Sequence, residues 1–289
     1  MSRTCCQLAV IGAGAAGLGA LAEALRLGCD RLLLFDQTGR AGGVIRHAFA
    51  ARNIPFLQDH APGDQVAREL EVFFSRTGIP ITTARVCAVS QLDGRIGIRA
   101  HDGRQWSADR LIVATGAKPK HPQTPGLPED FVPPWLPWGC GIGREGSRAV
   151  AVIGAGDVAF DQARRLRARG AQVTIVCRAE RPRAPEWLQQ SALREGVRLW
   201  VGCALVAGEA RGEGAVLHLQ HQAGSRSLQV DHLLAAIGRS PALMEGAASL
   251  PRSVCRIVGD AAGRGSSHLV AALGDGCTAA SELLKGGIR

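Results

Sequence analysis

The sequence predicts an α/β fold with two Rossmann-like dinucleotide-binding domains, because one pattern of residues occurs twice. Residues 12–17 read Gly-Ala-Gly-Ala-Ala-Gly, residues 154–159 read Gly-Ala-Gly-Asp-Val-Ala, and each motif follows a short apolar run. A charged residue stands 24 positions after the first glycine of each motif, Asp36 in the first copy and Arg178 in the second. A strand, a glycine-rich turn, a helix and a charged strand end are the order expected of a dinucleotide-binding unit.

Each motif is a glycine fingerprint that shapes the turn between a strand and a helix. The first glycine permits the turn, the second allows close approach of a pyrophosphate, and the third position must be small for the helix to pack. The pyrophosphate then lies at the helix N-terminus, where unpaired N–H groups favour an anion. The cofactor-binding candidates are therefore Gly12, Gly14, Ala15, Ala16 and Gly17 in the first fingerprint, and Gly154, Gly156, Asp157 and Ala159 in the second.

The charged residues distinguish the two fingerprints. The Asp36 carboxylate can accept hydrogen bonds from ribose hydroxyls, whereas the Arg178 guanidinium favours a ribose 2′-phosphate. The competing interpretation is a solvated surface charge that follows an ordinary glycine turn. Duplication of the pattern at the same offset argues against that interpretation and predicts that the chain binds two different dinucleotides.

The apolar pattern predicts the remaining elements. We expect a helix after Gly17 that ends near Gly28, and a helix over residues 157–169 that ends at Gly170. Apolar runs predict strands at residues 8–11, 32–35, 111–116, 150–153, 173–176, 233–237 and 256–258, small antiparallel sheets around residues 79–89, 96–100 and 216–219, and a terminal helix over residues 268–284.

The order of these elements predicts a discontinuous first domain, formed by residues 1–117 and 239–289. The second domain, residues 118–238, is inserted into the first. Residues 119–137 contain seven of the 14 prolines. Such a composition excludes a regular helix or a central strand and indicates a connection between domains.

Composition limits the classes of function. The net charge of +9 suits anionic cofactors or an acidic protein partner, while scattered arginines without an aromatic platform disfavour nucleic-acid binding. No apolar run reaches the ~18 residues of a membrane span, and the first strand begins too early for a cleavable signal. We therefore expect a cytoplasmic protein that does not associate with membranes.

The cysteines indicate packing rather than metal binding. Nine cysteines occur, and no two of them have the spacing Cys-x-x-Cys. A zinc ribbon or a ferredoxin-type iron–sulfur site is therefore not expected, and we predict no metal site. Most of the cysteines lie in or beside strand-like runs, where we expect them to be small buried hydrophobic residues.

Several short motifs together cover nearly the whole chain. They are the first fingerprint with Asp36, Gly42-Gly43, Asn53-Ile54-Pro55, Ala114-Thr115-Gly116, the second fingerprint with Arg178 and Arg183, Ile237-Gly238 followed by Pro241, and Gly259-Asp260. In this combination the sequence resembles the thioredoxin reductase-like branch of the FAD-dependent pyridine nucleotide–disulfide oxidoreductases. The resemblance implies a homodimer in which an NADPH domain is inserted into a discontinuous FAD domain.

The resemblance also implies roles for individual residues. The first fingerprint and Asp36 are expected to hold the adenosine half of FAD, and the N-terminus of the terminal helix, near His268, is expected to point at the flavin. Further FAD contacts are expected from Gly42, Gly43, Ala114, Thr115, Gly116, Gly259 and Asp260. The second fingerprint is expected to hold NADPH, with Arg178 and Arg183 on its 2′-phosphate. The family often has another arginine where this chain has Ala179, and Arg181 is a candidate to replace it.

One departure from the family decides the predicted activity. Its disulfide reductases carry a Cys-x-x-Cys motif before the second fingerprint, and here only Cys140 remains, with Pro137 in place of the first cysteine and Gly141 in place of the usual acid. An internal dithiol–disulfide cycle at this motif is therefore impossible, and an ordinary thioredoxin reductase is not expected.

We therefore predict an enzyme that passes hydride from NADPH to FAD and electrons onward to an acceptor such as ferredoxin, flavodoxin or a small molecule. Relatives that lack Cys-x-x-Cys serve such protein carriers, although they usually have a C-terminal extension over the flavin. One alternative is a disulfide or persulfide reductase that uses Cys140 alone. Another is a non-catalytic flavin module that senses redox state or assembles a complex. Cys140 and His268 are the candidate catalytic residues.

Overall fold

The computed structural model describes residues 5–51, 54, 55, 57, 61–120, 122–127, 148–263 and 268–285. Within these ranges the helices are α1 (Ala15–Arg26), α2 (Gly63–Ser75), α3 (Asp157–Arg167), α4 (Glu186–Arg194) and α5 (Leu269–Lys285). Short 3-10 helices cover Gly43–His47, Ala247–Ser249 and Gly259–Ala262. The strands are β1 (Cys5–Ile11), β2 (Leu32–Asp36), β3 (Ile81–Thr83), β4 (Val86–Leu92), β5 (Arg95–Ala100), β6 (Gln105–Val113), β7 (Ala117–Pro119), β8 (Ala149–Ile153), β9 (Gln172–Val176), β10 (Arg198–Trp200), β11 (Ala204–Arg211), β12 (Gly214–His221), β13 (Gly224–Val230), β14 (His232–Ala235), β15 (Arg239–Pro241) and β16 (Cys255–Ile257).

The chain divides into two units. Unit 1 comprises Met1–Arg46, Ala51–Lys118 and Ser240–Arg289, and unit 2 comprises His47–Ala50 and Pro119–Arg239. Strands β7 and β15, which contain the two main connections between the units, form a two-stranded sheet. Each unit contains one of the two fingerprints.

Unit 1 is built on a seven-stranded sheet in the order β3-β2-β1-β6-β5-β4, with β16 paired to β6. Strands β1, β2, β3, β6 and β16 are joined by parallel pairs, which require crossover connections. Alternate residues of β1 are buried on opposite faces of the sheet. Leu8 and Val10 pack in a cluster with helices α1 and α5, whereas Ala9 and Ile11 pack in a cluster with β5. Burial on both faces explains why this run is continuously apolar.

Unit 2 repeats this layering. A parallel sheet has the order β10-β9-β8-β14, and strands β11, β12 and β13 form a separate antiparallel sheet. Val150 and Val152 of β8 pack with Phe160 of α3, while Ala151 packs with Leu217 of the antiparallel sheet. In unit 2 the parallel sheet therefore lies between helix α3 on one face and the antiparallel sheet on the other.

One sequence-based expectation about strands needs correction. The region around residues 79–89 forms two strands, and they lie at opposite edges of the central sheet: β3 pairs in parallel with β2, and β4 pairs antiparallel with β5. Strands β4 and β5 extend the central sheet through β6 instead of forming a small separate sheet. The reason is that β6 is long enough to pair with β5 through its first half and with β16 through its last residues, while it also pairs with β1. The expectation is correct for residues 216–219, which lie in the separate antiparallel sheet.

A short segment, His47–Ala50, groups with unit 2 although its chain neighbours on both sides belong to unit 1. The backbone N–H groups of Phe49 and Ala50 donate to the Asp161 carboxylate at 2.8 and 3.2 Å. Arg165 of α3 donates to the His47 carbonyl at 2.8 Å. The side chains of α3 therefore hold this segment by its backbone.

Among the residues that the structure describes, no helix has both the length and the apolar composition of a membrane span.

Candidate functional site

The first fingerprint forms a turn that leaves no room for larger residues. Gly12 has a φ of +107°, and a Cβ atom added there would collide with the carbonyl oxygen of Ala114. A Cβ atom at Gly17 would collide with the carbonyl oxygen of Gly12. The N–H of Gly12 donates to the Phe35 carbonyl at 2.7 Å, which ties the turn to the end of β2. The predicted roles of these two glycines in turning and packing therefore have a steric basis.

Helix α1 begins at this turn with an open N-terminus. Gly14 precedes the helix in an extended conformation, no side chain caps it, and its first turn contains no acidic residue. The first N–H groups of a helix have no acceptor within it and carry partial positive charge. Residues Ala15 and Ala16 present such groups without bulky side chains. This end of α1 can therefore accept an anionic group such as a pyrophosphate.

The double glycine, Gly42-Gly43, lies beside the first fingerprint. The N–H of Gly42 donates to the Ala13 carbonyl at 2.8 Å, and a Cβ atom at Gly43 would lie 2.9 Å from the Gly14 Cα. A substituent at Gly43 would therefore press into the turn that carries the open helix end.

Asp36 ends β2 and is oriented by its neighbours. Its Oδ2 atom accepts a hydrogen bond of 3.0 Å from the Ala13 N–H. Its Oδ1 atom accepts from the N–H and the hydroxyl of Thr38, at 2.8 and 2.6 Å. A carboxylate has about four acceptor positions, so a further hydroxyl can bind where these three donors leave space. The carboxylate is thus held at the fingerprint, in the position expected of a ribose ligand.

Sequence reasoning missed three residues that support this site. Thr38 follows Asp36 by two positions, and this Asp-x-Thr spacing is a signal for an Asx turn that could have been recognised. Arg46 donates to the Ala41 carbonyl at 2.5 Å and pairs with Glu71 of α2 at 2.9 Å. This pair fastens the loop that carries the double glycine, and no short-range pattern links residues 25 positions apart.

The segment Ala114-Thr115-Gly116 follows β6 and reaches the same turn. The N–H of Ala114 donates to the Ile11 carbonyl at 2.8 Å. The Thr115 hydroxyl is buried and has no hydrogen-bond partner within the described part of the chain. A buried polar group without a partner is costly, and a bound ligand would satisfy it.

Gly259 and Asp260 open the 3-10 helix Gly259–Ala262. A Cβ atom at Gly259 would lie 2.9 Å from the Ala16 Cβ, so this segment contacts the first turn of α1. The N–H of Gly259 donates to Asp275 of α5 at 3.3 Å. His268 is exposed and immediately precedes α5, and its carbonyl accepts from the Ala272 N–H at 3.0 Å.

These residues of unit 1 fit FAD. Four features lie at one end of the sheet. They are the sterically restricted turn at Gly12, the open N-terminus of α1, the oriented Asp36 carboxylate and the Thr115 hydroxyl, which lacks a partner within the described residues. Parallel strands of an α/β sheet place ligands at this carboxyl end.

The second fingerprint repeats the same turn in unit 2. Gly154 has a φ of +115°, its N–H donates to the Val176 carbonyl at 3.0 Å, and an added Cβ would collide with the carbonyl oxygen of Ala236. Ala159 is completely buried, as its predicted packing role requires. Gly156 precedes α3 without a side-chain cap, and Asp157 is the acidic residue in the first turn of that helix.

The loop after β9 brings arginines to this second turn. The N–H groups of Arg183 and Ala184 donate to the Ala155 carbonyl at 2.9 and 3.1 Å, which attaches the far end of the loop to the fingerprint. Arg178, Arg181 and Arg183 all have exposed side chains. This loop therefore carries three exposed cationic side chains and is attached to the second fingerprint by the backbone of Arg183, and arginine side chains suit a 2′-phosphate.

Most of the cysteines whose burial the structure describes are buried, as expected from the sequence. Five of them are buried thiols: Cys6, Cys29, Cys177, Cys203 and Cys255. Burial raises the pKa of the Cys255 thiol to about 11 and also raises the pKa of Cys29, Cys177 and Cys277. A raised pKa disfavours the nucleophilic thiolate. Cys140, Pro137, Gly141 and Asn53 lie outside the described residues.

Comparisons with known proteins agree with this fold. The profile of the family described as pyridine nucleotide-disulphide oxidoreductase matches residues 6–288. The chain is 29% identical to a ferredoxin–NADP reductase of Ignicoccus hospitalis over 83% of its own length and 79% of that protein. It is 30% identical to a thioredoxin reductase of Helicobacter pylori over 54% of its length, and this match spans only 50% of that protein. A match to dihydrolipoyl dehydrogenase 3 of Pseudomonas aeruginosa, 34% identical over 52% of the chain, spans 34% of that relative.

Solved structures show the same fold at low sequence identity. The thioredoxin reductase of Lactococcus lactis in its FR conformation superposes with a TM-score of 0.85 at 21% identity, over 97% of this chain and 98% of that one. The fold class predicted from the sequence is thereby confirmed. The family match confirms the predicted oxidoreductase class, with FAD and NADPH as cofactors. The chain belongs to the pyridine nucleotide-disulphide oxidoreductase family.

Proposed function

We propose that this protein is an NADPH oxidoreductase in which unit 1 binds FAD, unit 2 binds NADPH, and electrons leave to an acidic protein carrier of the ferredoxin or flavodoxin type. The proposal depends above all on one observation. Two sterically similar turns carry charged residues of opposite sign, with Asp36 hydrogen-bonded to the first turn and the Arg183 backbone hydrogen-bonded to the second.

The residues of unit 1 would act by orientation and electrostatics. The open N-terminus of α1 would bind the pyrophosphate, Asp36 would accept from the adenosine ribose, and the Thr115 hydroxyl would gain the partner that it lacks within the described ranges. The N-terminus of α5 would stabilise negative charge on the flavin ring if the ring lies there. When bound, FAD supplies the two-electron chemistry and NADPH supplies the hydride.

The residues of unit 2 would select the nucleotide. Arg178 and Arg183 are exposed on one loop, and two guanidinium groups can form charge-assisted hydrogen bonds with a phosphate. A ribose hydroxyl in the same place offers no charge to these groups. We therefore expect NADPH to bind more tightly than NADH.

Two observations favour a protein carrier as acceptor. The sequence contains no Cys-x-x-Cys motif, so electrons have no internal dithiol of that type to enter, and its net charge of +9 suits an acidic partner. The similarity to a ferredoxin–NADP reductase over 83% of the chain supports the same choice.

Anaerobic titration of the purified protein tests the first half of the proposal. We expect NADPH to bleach the flavin absorbance at lower concentrations than NADH does. A colourless protein that takes up no FAD when it is supplied would refute the proposal. A bound flavin that NADPH does not reduce would favour the non-catalytic alternative.

An acceptor screen with the reduced protein tests the second half. We expect ferredoxin or flavodoxin to be reduced at a rate that falls as salt is added, because screening weakens long-range attraction between unlike charges. The Cys140→Ser variant should keep this rate. Disulfide or persulfide reduction that is present in the wild-type protein and lost in Cys140→Ser would instead support the single-cysteine alternative.

A further inference from the structure

We infer that Gly202 and Cys177 are positioning residues that fix the turn carrying Arg178, and that they thereby determine the preference for a nucleotide with a 2′-phosphate. This inference rests on the proposed NADPH site of unit 2. It concerns residues that lie outside the fingerprint and carry no charge.

The Ala179 carbonyl is the centre of this arrangement. It accepts the Gly202 N–H at 3.1 Å and the Cys177 thiol, whose Sγ atom also lies 3.1 Å away. Cys177 is itself fixed by its backbone, since its N–H donates to the Trp200 carbonyl at 2.8 Å and its carbonyl accepts the Cys203 N–H at 2.9 Å. Arg178 lies between Cys177 and Ala179, so the backbone is held on both sides of it.

Gly202 can fill this role only without a side chain. Its φ is +63°, a conformation that other residues adopt with strain, and a Cβ atom added there would lie 2.6 Å from the Glu180 Oε1 atom. A larger residue would therefore have to displace the Glu180 carboxylate. Glu180 is two positions from Arg178, so its displacement would alter both the shape and the charge of the turn.

The thiol of Cys177 is suited to act as a hydrogen-bond donor. Its side chain is buried, and burial raises the pKa of the thiol, so it stays protonated at neutral pH. A protonated thiol is a weak donor, whereas a thiolate could not donate to a carbonyl. Cys177 and Gly202 thus supply two donors to one carbonyl, at a turn where the expected second arginine is replaced by Ala179.

The other end of the loop is fixed independently. Arg183 and Ala184 donate to the Ala155 carbonyl, and Gln189 donates to the Ala184 carbonyl at 2.7 Å. The contacts of Ala179 therefore order only the turn that carries Arg178. Loss of these contacts should affect Arg178 and leave the fingerprint turn intact. An arginine whose backbone is already ordered loses less conformational freedom when it binds a phosphate.

Calorimetric titration with 2′,5′-ADP and with 5′-AMP measures this effect without turnover. Each probe contains the adenosine half of the nucleotide, and only 2′,5′-ADP contains the 2′-phosphate. We expect Cys177→Ala, which removes the thiol donor, to weaken binding of 2′,5′-ADP about two- to tenfold, the range for loss of one hydrogen bond, and to leave binding of 5′-AMP unchanged. Gly202→Ala keeps its N–H donor but displaces Glu180 and strains the backbone, so we expect it to weaken 2′,5′-ADP in the same direction. Cys177→Ser retains a donor and should keep wild-type affinity for both probes.

Gly170→Ala is the matched control. Gly170 has a φ of +89° in the same unit, and a Cβ atom there meets nothing within 4 Å, so this variant introduces comparable backbone strain without touching the loop. It should lower stability and keep the ratio of the two affinities. If Gly202→Ala does not fold, the comparison of Cys177→Ala with Cys177→Ser still shows whether a side-chain donor to the Ala179 carbonyl affects the affinity for 2′,5′-ADP.

The outcomes separate the inference from the proposal beneath it. A wild-type protein that binds 2′,5′-ADP no better than 5′-AMP overturns both the 2′-phosphate site and the positioning role. A wild-type protein that prefers 2′,5′-ADP, together with variants that keep the same preference, overturns the positioning role alone.

Discussion

The Asp36 carboxylate accepts a hydrogen bond of 3.0 Å from the backbone N–H of Ala13, so the end of β2 is tied directly to the first fingerprint. An amide at position 36 would have only one oxygen, and its NH₂ group would face the N–H of Ala13 or of Thr38. It would also lose the negative charge that accepts the ribose hydroxyls.

We therefore expect Asp36→Asn to weaken FAD binding about tenfold or more, in line with the loss of charge-assisted hydrogen bonds. The ratio of flavin absorbance to protein absorbance after dialysis measures this loss. Asp30→Asn is a suitable control, because Asp30 is an exposed acid before the same strand. Full retention of flavin by Asp36→Asn would contradict the assignment of Asp36 to the cofactor site.

Two glycines of α5 should respond in opposite ways to the same substitution. A Cβ atom at Gly276 would collide with the Ala16 carbonyl oxygen of α1, whereas a Cβ atom at Gly274 meets nothing within 4 Å. Gly274→Ala should raise the free energy of unfolding by about 0.5–1 kcal/mol, the usual helix preference for alanine. Gly276→Ala should lower it by about 1–3 kcal/mol because it overfills the contact between α1 and α5. Thermal unfolding of both variants tests this, and equal shifts would show that the helices do not pack so closely.

Arg178→Ala should weaken NADPH selectively. Removal of one charge-assisted contact to the 2′-phosphate corresponds to roughly 1.5–3 kcal/mol, or about ten- to a hundredfold in affinity. The Kd values of NADPH and NADH, measured by fluorescence titration, provide the comparison. Arg181→Ala tests whether Arg181 takes the place of the arginine absent at Ala179. An equal loss of both nucleotides in Arg178→Ala would exclude a specific phosphate contact.

Stability of unit 2 should fall on mild acidification because of His232. Burial lowers the pKa of its imidazole from the ordinary value of 6.5, and Arg148, whose Nη1 atom lies 3.1 Å from Nε2, adds to the effect, while Asp231 and Glu213 oppose it. The folded state then binds the proton less tightly than the unfolded state does. The contribution of neutral His232 to the free energy of unfolding is complete above pH 6.5, and it is lost as the pH falls from there towards the lowered pKa of the folded state.

Urea unfolding at pH 7.5 and at pH 5.5 measures this loss. His232→Gln has no titrating group at this position, so its free energy of unfolding should change less between the two pH values than that of the wild type. His101→Gln is the control, since His101 is exposed. An identical pH dependence in the wild type and in His232→Gln would exclude His232 as the source.

Much of the site could be predicted because its signals are short and local. The offset between each first glycine and its charged residue reflects the length of one helix and one strand, so Asp36 and Arg178 could be found by counting. Strands β1 and β8 could be predicted as well, because burial on both faces requires a continuous apolar run in the sequence. The places where strands end and helices begin followed from the glycines.

Other features could not be read in this way. Strands β3 and β4 adjoin in sequence yet lie at opposite edges of the central sheet, because β3 pairs with the distant strand β2 whereas β4 forms a hairpin with β5, which joins the sheet through β6. The pair of Arg46 and Glu71 and the contact of the Ala114 carbonyl with Gly12 depend on similar long-range closure. No periodicity records such contacts.

The sequence alone predicted two dinucleotide sites with charged residues of opposite sign and showed that the chain lacks the Cys-x-x-Cys motif, since both depend on residue type and local spacing. Only the tertiary structure decided which residues fix the charged side chains and the turns that carry them. Thr38 donates to the Asp36 carboxylate, and Gly202 donates to the Ala179 carbonyl next to Arg178. The physical reason is that hydrogen bonds to a backbone carbonyl and the space for one Cβ atom depend on distances between segments far apart in the chain, and these distances exist only after folding.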